Sequence, residues 1–254
     1  MIKHRKLPVV LMLFLFGIMH VQVSHGQTPN SARSVLDAMI DALGGRAFLD
    51  VKDIQNSGRF YSFSRGDLSG SDIFVDYIKF PNLERTEFGR ERYKSITINT
   101  GTEGWKIEGR EKDKKVDPQS PKQVDEFLLG FRTSFDYVTR FVLNLPKTTV
   151  QNLGGETIDF KRVDVIEVRD PDKNVIRFFI ERTSHLPLKT QVRRANESVL
   201  HEELYSNWHK FQGVMTPLFV SRSKDGVKMM EIHLDTAAYN GGLADSLFAP
   251  PTGK

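Results

Sequence analysis

Histidine and carboxylate side chains are the first candidates for chemistry in this sequence. The segment His201-Glu202-Glu203 places an imidazole beside two carboxylates, but no second histidine follows four residues on, as the helix of a zinc protease requires. On a strand, His201 and Glu203 would point the same way and supply at most two ligands. We therefore predict no metal site and interpret the histidines beyond the N-terminal region as surface residues of a sheet: His185, His201, His209 and His233.

Nucleophiles and acid–base pairs are equally hard to assemble. The chain contains no cysteine, and the Gly-x-Ser-x-Gly pattern of a nucleophile elbow is missing. The segment Ser69-Gly70-Ser71-Asp72 is typical of a turn, and no two carboxylates are bracketed by the aromatic pattern of a glycosidase cleft. We therefore predict a protein that is not an enzyme and uses no cofactor, with a hydrolase as the weaker alternative.

Residues 1–26 have the pattern of a cleavable signal peptide. Basic residues open the segment, an apolar run extends from Leu7 to Val23, and small residues precede a cut expected between Gly26 and Gln27. The alternative is an uncleaved anchor, but the run of about 17 residues is at the lower limit for a membrane span. We predict a signal peptide at 1–26, a single domain at 27–254 and a periplasmic location.

The charge balance argues against nucleic acid as a partner. Removal of Lys3, Arg5 and Lys6 leaves 33 basic residues against 32 acidic ones, so the basic character belongs mostly to the leader. An exported domain without disulfides must be stabilised by its core, and about 228 residues suffice for one core.

Two helical segments are predicted. The first begins at a cap provided by Asn30 or Ser31 and ends at Gly44-Gly45. The second follows Pro121 and carries a broad apolar stripe, which either plugs the concave side of a sheet or is ordinary core packing. The stripe consists of Val124, Phe127, Leu128, Phe131, Phe135, Val138, Phe141 and Val142.

The remaining chain alternates with a period near two, which predicts about ten or eleven antiparallel strands. Turns are expected at Gly154-Gly155 and at Lys224-Asp225-Gly226, and Leu247-Phe248 gives the C-terminal tail something apolar to bury. Apolar residues occur on both faces of the second strand, with Val75 and Tyr77 on one side and Phe74 and Ile78 on the other. Such a sheet is either covered by helices on its second face or curved around a ligand.

The C-terminal stretch from Glu202 to Pro251 carries a resemblance to a known family. Three strands lead to Asn240-Gly241-Gly242 and then to Leu247-Phe248, and upstream Phe179–Leu188 contains a Leu-Pro pair that opens the next strand. With the N-terminal helix, this pattern resembles the LolA/LolB-like outer-membrane lipoprotein carriers over Ser31 to Pro251. None of the matching motifs is catalytic.

The resemblance implies an α+β fold of mainly antiparallel strands, an incomplete half β-barrel of 10–11 strands wrapped over helices, whose concave face takes up acyl chains. It implies no nucleotide and no metal. The expected partners are a lipid or an acylated lipoprotein and a membrane-embedded loading or receiving protein, with no nucleic acid, for a monomer that takes part in lipoprotein sorting. The family also uses a buried arginine to keep a lid closed; Arg59, Arg85 and Arg92 lie in the corresponding half, and none is assigned.

Apolar residues in excess of a simple core are the predicted ligand-binding set. Burial of an acyl chain in such a cavity stabilises it by about 0.8 kcal/mol per methylene. A non-enzymatic sensor or interaction module of the same fold is the alternative function. The predicted cavity residues are Phe60, Tyr77, Trp105, Phe127, Phe131, Phe179, Trp208, Phe219, Met230 and Ile232.

Overall fold

The computed structural model describes residues 31–90, 92–110 and 113–250, so the predicted signal peptide lies outside the described residues. The helices are α1 (Ala32–Leu43), α2 (Arg46–Leu49), α3 (Pro121–Arg132) and α4 (Phe135–Arg140), with short 3-10 helices at Val142–Asn144 and Asp245–Phe248. The strands are β1 (Asp53–Ser64), β2 (Asp67–Lys79), β3 (Leu83–Arg90), β4 (Tyr93–Asn99), β5 (Gly104–Gly109), β6 (Lys115–Pro118), β7 (Thr149–Ile158), β8 (Lys161–Arg169), β9 (Val175–Glu181), β10 (Pro187–Arg193), β11 (Leu200–Phe211), β12 (Val214–Lys224) and β13 (Val227–Tyr239).

All thirteen strands belong to one antiparallel sheet with the order β6-β5-β4-β3-β2-β1-β13-β12-β11-β10-β9-β8-β7. Two meanders, β1 to β6 and β7 to β13, therefore meet where the first strand pairs with the last. The sheet is open, because β6 and β7 form its two edges, and the helices α3 and α4 join those edges along one face. We call the face that meets the helices the inner face and the opposite one the outer face.

The central pair of strands is interrupted by a bulge. The register between β1 and β13 shifts at Ser57/Gly58, where Gly58 faces Leu234. A Cβ atom at Gly58 would lie 2.0 Å from the backbone oxygen of His233, so only glycine fits there. Bulges increase the local twist and bend of a strand. This one, together with the register shift at Arg222/Ser223 in β12, helps the sheet to curl toward the helices.

The first helix begins and ends as its sequence predicts. The Ser31 side chain accepts a hydrogen bond from the Ser34 backbone N–H, and Gly44 ends the helix with a φ of 125°. A Cβ atom at Gly44 would also lie 2.3 Å from the Gly213 oxygen, so this glycine permits the close approach of α1 to the β11–β12 turn. One side of α1 is buried against the sheet.

Three apolar clusters stabilise the sheet. The largest lies on the inner face and joins α1, α2 and α4 to β1 and to β7–β13, with Leu36, Met39, Val138 and Phe178 fully buried. A second lies on the outer face of β3–β5, where Phe248 covers Ile96, Ile98 and Ile107. The third, on the outer face of β8 and β9, contains Val163, Val165 and Phe179. The expectation that the tail buries Leu247-Phe248 is confirmed, since Phe248 is 2% exposed.

Two details differ from the sequence prediction. The sheet has thirteen strands rather than ten or eleven, partly because the exposed four-residue β6 has no apolar alternation to predict it. The turn predicted at Gly154-Gly155 is wrong. The strand continues through a bulge there, and the β7–β8 turn lies at Asp159 and Phe160, whose φ angles are 46° and 63°. The tight turn predicted at Asp225-Gly226 is confirmed.

Within the described ranges, no helix has the length and apolar character needed to cross a bilayer.

Candidate ligand groove on the inner face

The inner face divides into a part filled by helices and a part beyond them. Ile54 of β1, Ile78 of β2 and Tyr239 of β13 belong to the cluster that packs against the helices. Farther along β1 and β13, and on the same face of the neighbouring β3 and β12, lie side chains that belong to none of the three clusters; they include Phe60, Phe88, Leu218, Met230, Ile232 and Leu234. This second part is the candidate ligand groove.

The groove has an aromatic floor. Phe60 pairs with Ile232 across β1 and β13, and Ile232 in turn pairs with Val220 of β12. The Phe60 ring lies 5.2 Å from the Phe88 ring, and Phe88 lies 6.4 Å from Phe74. Phe60, Phe88 and Ile232 are partly exposed on a face that is otherwise closed by helices. These three residues therefore provide apolar surface outside the clusters of the protein's own core.

Helix α3 lies beside Phe80 of the helix-filled part and packs loosely. Val124 is its one buried residue. Its aromatic residues form a chain in which Phe127 lies 5.5 Å from Phe131, and Phe131 lies 5.8 Å from both Phe80 and Tyr137. A helix held by one buried residue and a few aromatic contacts opens at low cost in free energy.

Helix α4, in contrast, is fixed by Arg140. Among the described residues Arg140 is the one buried basic side chain, at 7% exposure. Its Nε donates a hydrogen bond to the Phe48 carbonyl at 3.0 Å, its guanidinium forms an ion pair with Asp136, and it lies over the Phe48 ring at 4.0 Å. Arg140 thereby connects α4 to α2.

A polar chain forms one wall of the groove. The Tyr205 hydroxyl donates to Glu203 at 2.6 Å and receives a hydrogen bond from Thr190 at 2.9 Å. Glu203 also forms an ion pair with Arg222 at 2.6 Å. Burial, followed by the Glu203 charge, raises the pKa of Tyr205 well above its ordinary value, so this phenol remains a donor at neutral pH. The Arg222 side chain keeps 45% of its surface exposed.

Two carboxyl groups form the facing wall. Burial raises the pKa of Asp76 to about 6. Burial and the neighbouring Asp76 charge raise the pKa of Glu84 to about 8. The Thr86 hydroxyl lies 2.8 Å from Asp76 Oδ1 and 3.4 Å from a Glu84 oxygen. The Arg222 charge lowers the pKa of both, although two strands separate β12 from Asp76 and three separate it from Glu84. An influence across so many strands indicates that the sheet is curled.

The ten predicted cavity residues are divided between the two faces. Five lie on the inner side: Phe60, Met230 and Ile232 on the groove floor, and Phe127 and Phe131 on α3. Trp208 packs against the edge of the inner core, 6.1 Å from Tyr205, and its buried Nε1 has no hydrogen-bond partner.

The other four lie on the outer face. Tyr77 and Trp105 pack against the cluster under Phe248. Phe219 contacts His233 at 5.0 Å. Phe179 forms the base of a shallow outer pocket, beneath the Lys189 ammonium at 4.1 Å. One cavity cannot contain both groups, because the sheet separates them. A role in ligand binding stays a prediction for the residues on the inner side.

The arginines considered for a lid lie elsewhere. Arg59 and Arg85 are on the outer face, where Arg85 donates to the Leu247 carbonyl at 3.1 Å, and Arg92 is exposed. The sequence prediction missed Arg140. Its signal in the sequence is a pair of opposite charges, Asp136 and Arg140, four residues apart in a segment of helical apolar spacing. It also missed Asp76 and Arg222. Each is a charged residue at a position that the alternation of its strand places on the same face as apolar residues.

The histidines are dispersed. His201 contacts Glu197 at 2.8 Å, His209 contacts Asn207 at 3.0 Å, and His233 lies between the rings of Tyr61 and Phe219. In the part of the chain that the structure describes, no group of three or more histidine or acidic residues could hold a metal ion.

These features define an open antiparallel half-barrel that curls over helices and leaves part of its inner face uncovered. Solved structures show that this is the LolA-like fold. A DUF1329 family protein from Desulfovibrio piger matches with a TM-score of 0.59 and 14% identity, over 86% of this chain and 97% of that one. A domain from Vibrio parahaemolyticus named for outer membrane lipoprotein sorting matches with a TM-score of 0.54 and 12% identity, over 85% and 97%.

A LolA superfamily protein from Nitrosomonas europaea matches with a TM-score of 0.52 and 14% identity, over 87% of this chain and 98% of that one. At such identities the likeness shows the fold alone. No protein-family model matches the sequence, and no curated protein sequence matches it.

Proposed function

We propose that this protein is a periplasmic, non-enzymatic carrier or binding protein for lipid or for the acyl chains of lipoproteins. The observation that carries the proposal is the aromatic floor formed by Phe60, Phe74 and Phe88 with Ile232, which lies on the inner face and outside the three apolar clusters. Phe74 is buried, whereas Phe60, Phe88 and Ile232 are partly exposed. Apolar surface of this kind, rimmed by polar groups, is typical of ligand-binding grooves.

The energetics favour an alkyl chain as ligand. Each methylene withdrawn from water contributes about 0.8 kcal/mol, so a chain of a dozen or more carbons can offset the cost of ordering it. Helix α3 is the movable cover in this proposal, because Val124 is its one buried residue and Phe131 holds it through ring contacts. Its displacement would extend the groove toward Phe80 and Phe141, whose rings lie 5.5 Å apart.

The comparisons support the same class of function. The LolA-like fold is shared with a Vibrio parahaemolyticus domain named for outer membrane lipoprotein sorting. Export to the periplasm rests on the leader pattern of residues 1–26. A role in lipoprotein sorting, with a membrane-embedded loading or receiving protein, is the specific form of this proposal.

Native mass spectrometry tests the proposal on protein purified without detergent, with extraction and identification of any co-purified lipid. We expect bound phospholipid or an acylated peptide. Its amount should fall at least about tenfold in the Phe60→Ala/Ile232→Ala variant. The matched control is Phe219→Ala, which removes an aromatic side chain from the outer face of the same sheet and should keep the full load. A ligand-free protein that takes up no added lipid would overturn the proposal.

A further inference from the structure

Hydrogen-bond acceptors outnumber donors on the carboxyl wall of the groove. Asn56, Asp76 and Thr86 occupy one row across β1, β2 and β3, and Glu84 lies beside them on the same face. Asp76 accepts from the Thr86 hydroxyl and from a backbone N–H, and Thr86 has a single proton to offer. The Oδ1 atom of Asn56 is fully buried and accepts no hydrogen bond. A buried acceptor without a donor is costly, so it indicates a missing partner.

The charges of the groove are also unbalanced. Arg222 is the one cation among the described residues that acts on both Asp76 and Glu84. It is already paired with Glu203 at 2.6 Å. At neutral pH Glu84 is largely protonated, so the two carboxylates of Glu203 and Asp76 face one guanidinium. The net negative charge disfavours a bound anion and favours a cation.

We propose that the groove selects amphiphiles whose head group carries an ammonium, bound by the oxygens of Asp76, Glu84 and Asn56 while the alkyl chain follows Phe60 and Ile232. An ammonium supplies an N–H donor for the unpartnered Asn56 oxygen and a positive charge beside the Asp76 carboxylate. The inference rests on the proposed function and names the chemical class of its ligand. An amphiphile with an anionic head group would be repelled by the carboxylate charge of this wall and would bind more weakly.

Binding should release a proton. At neutral pH the Glu84 carboxyl is largely protonated, because its pKa is about 8. An ammonium placed beside it favours the ionised form, so the proton moves to the solvent buffer as the ligand binds. The other groups that face this site are Asp76 and Thr86 of the same wall and Arg222, Glu203 and Tyr205 of the opposite wall. Of these, Tyr205 and Arg222 keep their protons at neutral pH.

Isothermal titration calorimetry with three probes of equal chain length tests the inference. The probes are dodecylammonium, dodecyl sulfate and dodecyl maltoside, each below its micellar concentration. We expect dodecylammonium to bind at least about tenfold more tightly than dodecyl sulfate. We also expect its heat to vary with the ionisation enthalpy of the buffer, which reports proton release from the unaltered protein.

The Asp76→Asn/Glu84→Gln variant should lose the ammonium preference and the proton release while keeping its affinity for dodecyl maltoside. The matched control is Glu87→Gln, which changes a carboxylate on the outer face of the same strand and should keep both properties. Equal affinities for the two charged probes, or an unchanged preference in the double variant, would overturn this inference and leave the carrier function standing. Failure of all three probes to bind would overturn both.

Discussion

Glu84 and Glu87 lie three residues apart on β3 and face opposite sides of the sheet. On the outer face, burial alone would raise the pKa of Glu87, but hydrogen bonds from Lys94 at 2.6 Å and Arg85 at 2.7 Å hold it below its ordinary value. On the inner face, the pKa of Glu84 rises to about 8. One strand thus carries a carboxylate with two basic partners and a carboxyl group without a close one.

The same contrast extends to the apolar surface. The outer face of β3–β5 is closed by Phe248, which the Lys79 and Arg85 side chains secure through contacts to its segment. The inner face beyond the helices leaves Phe60 and Phe88 partly exposed. The outer face of β3–β5 is covered by a segment of the same chain, whereas the inner face beyond the helices has a partly exposed aromatic floor and an acceptor, Asn56 Oδ1, without a partner. This difference is the strongest physical reason to assign the ligand to the inner side.

Phe248, together with the cluster that it covers, forms what we call the outer seal. Truncation of Phe248 should have the largest effect on stability. Phe248→Ala removes a fully buried ring from the cluster of Ile96, Ile98 and Ile107. We expect a loss of about 3–5 kcal/mol in the free energy of unfolding, measured by urea denaturation. Phe60→Ala is the matched inner change and should cost about 1 kcal/mol, since that ring is partly exposed. Equal costs would mean that the inner floor is as much a part of the core as the outer seal.

The two glutamates should respond to pH with opposite signs. Because the folded-state pKa of Glu84 is raised, its ionisation opposes folding, and its contribution to stability is lost as the pH rises from about 4.5 to about 8. Glu84→Gln should therefore stabilise the protein at pH 8.5, by about 1–3 kcal/mol. The folded-state pKa of Glu87 is lowered, so its contribution is present at neutral pH and lost in acid.

Glu87→Gln should accordingly destabilise the protein at neutral pH and have little effect below about pH 4. Thermal unfolding of both variants over the same pH series checks the pair. Parallel profiles for the two variants would contradict the opposite environments of the two faces.

Helix α3 on the inner face should be held less tightly than the segment around Phe248 that covers the outer face. Phe131→Ala removes the ring that contacts Phe80 and Tyr137, yet α3 has Val124 as its one buried residue. We expect a global cost of about 1 kcal/mol, together with faster amide exchange confined to α3. Hydrogen exchange followed by mass spectrometry distinguishes this from general loosening, with the α1 peptide as internal reference. Exchange in α3 as slow as that in α1 would argue against a movable cover.

The weakest effect is expected at the rim of the outer seal. The Lys79 ammonium contacts the Leu243 carbonyl at 2.8 Å and the 83% exposed Asp245 at 2.6 Å. Lys79→Met should cost about 0.5–1 kcal/mol, and the difference from the unaltered protein should shrink in high salt. A cost as large as that of Phe248→Ala would show that the ion pair, rather than the buried ring, closes the outer face.

Much of the fold could be predicted from local chemistry. Ser31 and Gly44 delimit α1, and Asp225-Gly226 has the residues that a tight hairpin turn prefers. Gly154-Gly155 misled the prediction because glycine pairs occur in bulges as well as in turns. The true turn uses Asp159 and Phe160 with positive φ angles, which aspartate tolerates but a bulky residue such as Phe160 rarely adopts.

The site was predictable only in part. Alternation separates Phe60 and Ile232 from Tyr77 and Phe219 on individual strands, but it does not say which side the helices cover. That choice depends on how the segment between β6 and β7 crosses the sheet, a long-range property that no local pattern encodes. The electrostatic link between Arg222 and Glu84 is likewise a product of curvature.

The pairing of β1 with β13 has a consequence for the order of folding. Ser57 and Thr236, whose hydroxyls lie 2.8 Å apart, are separated by 179 residues. When the β1–β6 meander forms first, its β1 edge stays unpaired until β13, near the end of the chain, joins it. Contacts so distant in sequence slow folding, and an unpaired strand edge invites association with other chains. The future central strand of the sheet is therefore an open edge until the last strand of the chain pairs with it.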